Sequence, residues 1–144
     1  GALGSRPVVE AVAHAARGFA FPLLVDPVMI SKHGAPLMAD DAKATLINQL
    51  LPQCTLLTPN LHEAAAITGR PLAGRQDLRD AARALLDLGP RAVLLKGGHL
   101  HETEGPAAEA LDLLATHDAI YEFPAPRLAT RHTHGTGCSY SAAI

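Results

Sequence analysis

The stretch TLLTPNLHEAAAITG, from Thr55 to Gly69, contains one complete strand-and-helix unit. Residues 55–57 predict a short buried strand, because a continuous run of this kind is typical of a strand covered on both faces. The polar residue Thr58 follows the strand, and residues 61–68 predict a helix that the glycine ends. A strand that leads at once into a helix is the repeating unit of α/β proteins with parallel sheets.

Asn60 and Glu63 allow two interpretations. They stand three residues apart at a predicted helix start, which is the spacing of a reciprocal side-chain and backbone cap. The alternative is a pair of oxygen ligands that hold Mg²⁺ through water beside bound phosphates. The sequence alone leaves both interpretations open.

Towards the N-terminus, PLLVDPVMI (residues 22–30) predicts a second buried strand over residues 23–25. Asp26 ends it, and Pro27 cannot continue a central ladder. A carboxylate at the carboxyl end of a buried parallel strand lies where open α/β sheets bind ligands. We therefore predict a functional role for Asp26; the alternative is an ordinary turn residue.

Towards the C-terminus, AVLLKGGH (residues 92–99) predicts a third buried strand that runs into Lys96 and Gly97. A lysine and glycines at a strand end are suited to contact phosphate through charge and backbone N–H groups. The alternative for Lys96 is a solvated surface lysine. All three predicted strands end in polar or glycine-rich residues, and parallel strands bring such ends to one edge of a sheet.

The remaining segments complete an α/β layout. Apolar spacing predicts helices over residues 5–17, 42–51 and 76–88. Two apolar segments, residues 109–115 and 119–123, predict an antiparallel hairpin added to a mainly parallel sheet. Residues 1–144 are predicted to form a single partial domain, the C-terminal part of a longer protein, since the sequence has no initiator Met and its last helix is very short.

The final residues, HTHGTGCSYSAAI (residues 132–144), predict an anion site. Gly135, Thr136 and Gly137 precede a helix expected from residue 139, so that backbone N–H groups converge near its positive end. Cys138 stands at the same helix start, a position at which the pKa of a thiol falls. This combination indicates group transfer to a hydroxyl or a phosphate; the alternative is a glycine-rich turn beside a small buried cysteine.

Composition narrows the class of protein. The formal net charge is −2 and aromatic residues make up 3% of the chain, which argues against nucleic acid as a partner. No uncharged apolar stretch of about 18 residues is present, so we expect no membrane span. The two cysteines do not predict a disulfide framework, and we expect a cytoplasmic location.

Histidine pairs raise two further possibilities. His99 with His101 and His132 with His134 could supply imidazoles to zinc, but neither pair has acidic or thiolate neighbours of the usual kind. A thiol hydrolase that uses Cys138 with His132 or His134 is also conceivable. The glycine-rich setting and the Lys96 loop argue against the hydrolase.

Four motifs together resemble one known family. VDPVMISKHGAPLM, LLTPNLHEAAAITG, AVLLKGGHL and APRLATRHTHGTGCSYSAAI are similar to the hydroxymethylpyrimidine/phosphomethylpyrimidine kinases of thiamine biosynthesis, in the ribokinase-like superfamily. The resemblance implies a three-layer α/β sandwich, here truncated at both ends, in a protein expected to be a homodimer. It also implies two ATP- and Mg²⁺-dependent steps, which phosphorylate 4-amino-5-hydroxymethyl-2-methylpyrimidine and then its monophosphate.

The resemblance also implies roles for individual residues. Gly135, Thr136 and Gly137 would form the anion hole for the transferred phosphoryl group, with Cys138 in the position of a catalytic base. The ATP-binding residues would be Thr58, Lys96 and Gly97. The Mg²⁺-site residues would be Asp26, Asn60 and Glu63. Val28 and Met29 would touch the pyrimidine.

Two alternatives to the pyrimidine kinase are open at this point. One is a pyridoxal kinase of the same superfamily, because the family's N-terminal portion, which holds most acceptor contacts, is not in this sequence. The other is a truncated, non-catalytic domain that binds nucleotide, since the segment alone is expected to lack much of the acceptor site.

Overall fold

The computed structural model describes residues 2–30, 36–98, 109–126 and 135–144. The α-helices within these residues are α1 (Arg6–Ala16), α2 (Asp40–Thr45), α3 (Leu61–Thr68), α4 (Arg75–Leu86) and α5 (Thr136–Ala143). The strands are β1 (Leu24–Val25), β2 (Leu56–Leu57), β3 (Ala92–Leu95), β4 (Glu109–Thr116) and β5 (Ile120–Pro126).

The five strands form one sheet in the order β1-β2-β3-β4-β5. β1, β2 and β3 are parallel, with Val25 opposite Leu57 and Leu57 opposite Val93. β4 then runs antiparallel to β3, and β5 antiparallel to β4. The predicted α/β fold with an added hairpin is confirmed, and the described sheet is mixed because the hairpin adds two antiparallel pairings.

Apolar side chains on the strands and helices form one core. Leu57, Val93 and Leu113 are fully buried on three neighbouring strands. α4 packs against β3 and β4, with Leu78 and Leu85 turned into the core. Full burial of a leucine side chain stabilises the folded state by about 2 kcal/mol. Packing of these side chains therefore fixes the positions of β2, β3 and β4 and of the residues at their ends.

The helix predicted over residues 42–51 is helical throughout, but its geometry changes along its length. α2 continues as a π-helical turn over Leu46–Leu50 and a 3₁₀ turn over Leu51–Gln53. Pro52 lies inside the last turn, where its missing N–H removes the bond that would continue a regular α-helix. The end of α4 also passes close to this turn: Gly89 has φ +111° and a Cβ there would lie 2.7 Å from Pro52 Cα.

The hairpin is longer than the sequence predicts. β5 continues through Pro124 to Pro126, residues that we expected to lie beyond the strand. β5 pairs only with β4 among the described strands, and proline is tolerated on such an edge because no second ladder needs its N–H. No helix in the described part of the chain has the length and apolar character needed to cross a bilayer.

Candidate active site

The ends of β1 and β3 meet through an ion pair. The Lys96 ammonium donates to Asp26 Oδ1 at 3.2 Å, and the two side chains are only 12% and 17% exposed. Lys96 also forms an isolated parallel bridge with Asn60, which follows β2. The three strand ends that the sequence predicts at one edge are therefore together, and Lys96 is a largely buried member of an ion pair rather than a solvated surface lysine.

The start of α3 is closed by its own side chains. Asn60 Oδ1 accepts from the Glu63 backbone N–H at 2.9 Å, and Glu63 Oε2 accepts from the Asn60 backbone N–H at 2.9 Å. The predicted capping pair is confirmed, and Gly69 ends the helix in the left-handed conformation as expected. The Mg²⁺ role of the pair stays a prediction.

Glu63 lies within the electric field of the ion pair. Its side chain is buried, and burial raises the pKa of the carboxyl, with the charge of Asp26 acting in the same direction. The backbone N–H groups of Asn60 and Met29 and the charge of Lys96 lower that pKa. The charges of Asp26 and Lys96 therefore act in opposite directions on the pKa of the Glu63 carboxyl.

The arrangement fits a hard divalent cation in part. Mg²⁺ is typically bound by one or two carboxylates together with water and substrate phosphates. Asp26 and Glu63 could supply the two carboxylates. Within the described residues there is no group of three or more histidine, cysteine, aspartate or glutamate side chains placed to hold a metal. The four histidines considered for zinc lie outside the described residues.

α5 begins earlier than expected. Its first helical residue is Thr136, and Gly135 precedes it in the left-handed conformation, with φ +77°. Gly137 and Cys138 therefore lie inside the first turn, and the Cys138 side chain is exposed. The sequence predicted the helix from residue 139, in the small-residue run after the glycines, but a positive φ just before a helix is a position that glycine serves well.

The first turn of α5 lies against Lys96. A Cβ built on Gly137 would be 3.4 Å from Lys96 Nζ, so a glycine at this position lets the ammonium approach the helix start closely. The ammonium thus lies next to both the Asp26 carboxylate and the first turn of α5. This is the central feature of the site.

Ser141 is a site residue that the sequence analysis missed. Its hydroxyl lies 2.9 Å from Thr58 Oγ1, donates to the Gly137 carbonyl at 3.0 Å and accepts from Lys96 Nζ at 3.5 Å. Thr58 is fully buried, and its hydroxyl lies within hydrogen-bond distance of Ser141 Oγ and of the Val25 carbonyl. The available signal was the four-residue spacing between Gly137 and Ser141, which lets a helical serine bond the carbonyl one turn before it.

Asp112 is a second missed residue. Its Oδ1 accepts from the Gly97 backbone N–H at 2.9 Å, so the glycine after Lys96 is held by a side chain of β4. A Cβ on Gly97 would overlap the carbonyl oxygen of Leu111. No pattern near residue 112 signals this contact, because the hairpin must form before the aspartate reaches the loop.

The remaining predicted residues have different surroundings. Met29 is buried in the hydrophobic core and Val28 is half-buried, so their contact with a pyrimidine stays a prediction. Cys54, which received no role, is 1% exposed, and burial raises the pKa of its thiol to about 12. The two cysteines are both free thiols in very different environments.

Comparison with known proteins identifies the family. The family model described as phosphomethylpyrimidine kinase matches residues 1–144. The chain belongs to this family. A hydroxymethylpyrimidine/phosphomethylpyrimidine kinase from Streptomyces coelicolor is 46% identical over 144 residues, which are 100% of this chain and 51% of that protein. The chain spans about half the length of the curated relatives it matches.

Solved structures of related kinases share the ribokinase-like fold. The Staphylococcus aureus pyridoxal kinase in complex with AMP-PCP and pyridoxal superposes with a TM-score of 0.85 at 28% identity, covering 99% of this chain and 50% of that one. The Clostridium difficile phosphomethylpyrimidine kinase superposes with a TM-score of 0.73 at 31% identity, covering 96% of this chain and 62% of that one. The chain thus shares its fold with both pyridoxal kinases and phosphomethylpyrimidine kinases.

Proposed function

We propose that this chain is the phosphate-binding part of a kinase that converts 4-amino-5-hydroxymethyl-2-methylpyrimidine to its monophosphate and then to its diphosphate. The observation that carries the proposal is the contact of the Lys96 ammonium with both Asp26 and the start of α5. A cation beside a helix N-terminus favours a phosphate group at that place. The family match supplies the reaction class.

Lys96, Gly97 and the first turn of α5 would bind the ATP phosphates. Phosphoryl transfer depends mainly on positioning and on stabilising negative charge that spreads over the transferred group. The Lys96 ammonium and the backbone N–H groups of Gly135, Thr136 and Gly137 are the donors for that charge in this proposal. Thr58 would act on the site through Ser141, since its hydroxyl is buried against that residue. The AMP-PCP complex of the Staphylococcus aureus relative supports ATP as the donor.

Asp26, Asn60 and Glu63 would hold Mg²⁺ through their oxygens or through bound water. Bound Mg²⁺ would neutralise phosphate charge beside Lys96. The charge of Asp26 raises the pKa of the Glu63 carboxyl, which supports the placement of both carboxylates near one ion. The reciprocal cap of α3 fixes the orientation of the Glu63 side chain at this edge.

Cys138 would act as the base for the first acceptor. A neutral CH₂OH group must lose its proton as it attacks, whereas a phosphate monoester is already anionic and needs little help. An aspartate beside an incoming phosphate would add like-charge repulsion, but a thiol can be neutral or ionised. The exposed position of Cys138 in the first turn of α5 is compatible with access by either acceptor.

The test compares both acceptors in the full-length kinase with Cys138→Ala. We expect alcohol phosphorylation to fall by about 10²-fold or more while monophosphate phosphorylation falls much less, since loss of a general base typically costs about 10²–10⁴-fold. Turnover is measured for each acceptor at saturating ATP. Ser139→Ala, an exposed neighbour in the same turn, is the matched control and should leave both rates unchanged. Equal losses with both acceptors would mean that Cys138 shapes the anion site and is not the base.

Pyridoxal phosphorylation is the second candidate function. It is favoured by the high structural similarity to pyridoxal kinases, with TM-scores of 0.83 to 0.85. Competition between the pyrimidine alcohol and pyridoxal in the full-length enzyme distinguishes the two. A higher kcat/KM for pyridoxal would replace the pyrimidine as the proposed acceptor while leaving the phosphate-binding roles in place.

A further inference from the structure

The carboxylate of Asp112 lies at the junction of three elements. It belongs to β4, and its Oδ1 accepts from the Gly97 backbone N–H at 2.9 Å. The β3–β4 register pairs Leu95 with Leu113, so continuation of the ladder would place Gly97 opposite Leu111. At that point the Gly97 N–H is bonded to a side chain of β4. The loop after β3 is therefore held by the aspartate and not by the regular sheet ladder.

The two residues that follow β3, Lys96 and Gly97, form hydrogen bonds to opposite sides of the strand. The Lys96 backbone N–H donates to the Pro59 carbonyl at 2.9 Å, on the side of β2, and its ammonium reaches Asp26. Gly97 turns to the other side and packs against the Leu111 carbonyl so closely that no side chain would fit. Since consecutive residues are held from opposite sides, the direction of the Lys96 side chain depends on both contacts.

The same carboxylate is bonded to α5. Burial, the charge of Asp112 and a side-chain hydrogen bond to that carboxylate raise the pKa of the Tyr140 phenol. Burial also raises the pKa of Asp112, whereas the Gly97 N–H, the charge of Lys96 and the Tyr140 bond lower it. The next residue, Ser141, forms hydrogen bonds through its hydroxyl with Thr58 and Lys96. Two adjacent residues thus attach α5 to β4 and to the end of β2.

We propose that Asp112 is a positioning residue that joins the Lys96–Gly97 loop to α5, so that the two phosphate-binding elements keep one relative placement. The proposal rests on the proposed function, because it concerns the residues assigned there to the ATP phosphates. In this proposal Asp112 does not touch the substrate. Its effect passes through the Gly97 N–H on one side and through Tyr140 on the other.

The proposal is tested by nucleotide binding in the full-length protein. Asp112→Ala removes the acceptor of both contacts, and we expect the Kd for ADP and the KM for ATP to rise by about 10-fold or more, since a lost hydrogen bond to a charged group has an effect of this order. Asp112→Asn keeps a side-chain oxygen for the Gly97 N–H, and its Kd should lie within about threefold of wild type. Hydrogen exchange at the Gly97 amide supplies a readout without nucleotide, with faster exchange expected in Asp112→Ala than in Asp112→Asn.

Tyr140→Phe separates the α5 contact from the Gly97 contact. Alone it should weaken ADP binding by about threefold, and in the Asp112→Ala background it should have no further effect, since residues that act through one partner are not additive. Tyr121→Phe, an exposed tyrosine on β5, and Asp118→Asn, in the exposed hairpin turn, are matched controls and should bind as wild type does.

A merely structural role has a different signature. It would lower the thermal midpoint and the fraction of active protein, with the Kd of the folded fraction unchanged. Wild-type Kd values in folded Asp112→Ala, or additive effects of Asp112→Ala and Tyr140→Phe, overturn the proposal. If Asp112→Ala does not fold, wild-type ADP affinity in folded Tyr140→Phe overturns it as well. Wild-type protein that binds ADP without transferring phosphate contradicts the proposed function alone.

Discussion

α3 and α5 begin at the same edge of the sheet, yet their first turns are built in opposite ways. At α3, Asn60 and Glu63 bond each other's backbone N–H groups and close the helix start. At α5, Gly135 occupies the capping position with φ +77°, and among the described residues no side chain caps the helix. The α3 start is closed by its own side chains, whereas the first turn of α5 lies beside the Lys96 ammonium.

The difference shows how one fold can place complementary chemistry side by side. A capped start keeps a carboxylate oriented near Asp26, which suits a cation. A start capped by glycine leaves backbone donors directed outward, which suits an anion. Each of the following predictions tests whether the two helix starts are functionally distinct or only structurally different.

The largest expected effect concerns thiol alkylation. Cys138 is exposed in the first turn of α5, whereas Cys54 is 1% exposed with its pKa raised to about 12. The thiolate is the reactive form, so at pH 8 only about one in 10⁴ of the Cys54 thiols would be ionised. We expect Cys138 to react with iodoacetamide at least about 10³-fold faster, as followed by peptide mass spectrometry.

Saturating ADP should slow the alkylation of Cys138 and leave Cys54 unaffected. Protection of Cys138 would support an anion site at α5. Equal reaction of both thiols in native protein would contradict the burial of Cys54. If ADP does not protect Cys138, the nucleotide does not bind at the start of α5.

The second prediction concerns the α3 start. Glu63→Gln in the full-length kinase keeps an oxygen for the Asn60 N–H but removes the negative charge. We expect stability to change by less than about 1 kcal/mol. Turnover should fall by about 10-fold or more at limiting Mg²⁺, with partial recovery as Mg²⁺ rises, because a charged ligand is lost.

The control is another capping carboxylate. Asp77 Oδ2 accepts from the backbone N–H groups of Ala73 and Gly74 at the start of α4. Asp77→Asn makes the same chemical change at a helix start away from the strand ends, and the Mg²⁺ dependence should be unchanged. A Glu63→Gln enzyme with wild-type turnover at low Mg²⁺ would reduce the α3 pair to a cap.

The smallest expected effect compares two glycines. Gly135 and Gly69 have φ values of +77° and +69°, and a Cβ on either would meet nothing within 4 Å. Alanine at each therefore introduces only conformational strain, about 1 kcal/mol in both cases. Thermal unfolding should show similar losses, while ATP turnover in the full-length kinase should fall a few-fold for Gly135→Ala only. Equal turnover in both variants would show that the start of α5 has no special role.

Local patterns were sufficient for the parts of the site that form within a few residues. The bounds of α3, its capping pair and the polar end of each parallel strand follow from spacing and from the breaker residues around them. The hairpin was predicted from two apolar segments and is confirmed, although its second strand is longer. These features depend on neighbours in sequence, which is why a single sequence indicates them.

The residues that the sequence analysis missed depend on tertiary contacts. Asp112 reaches Gly97 across 15 positions of the chain, and Ser141 reaches Lys96 across 45. Neither pairing leaves a periodic pattern, since each requires the sheet and α5 to be in place first. The roles assigned to Val28, Met29 and the Mg²⁺ ligands, and the expected homodimer, stay predictions.

The ion pair between Lys96 and Asp26 also makes the site selective by charge balance. With the ammonium 3.2 Å from the carboxylate and both largely screened from water, each group already has its counter-ion. A bare anion that takes over Lys96 leaves Asp26 without a partner, which is costly for a half-buried charge. When an anion binds together with a cation, the anion can pair with Lys96 and the cation with Asp26, so that no charge is left without a counter-ion. If the proposed function is right, the edge of the sheet would therefore favour a metal-bound phosphate over a free one.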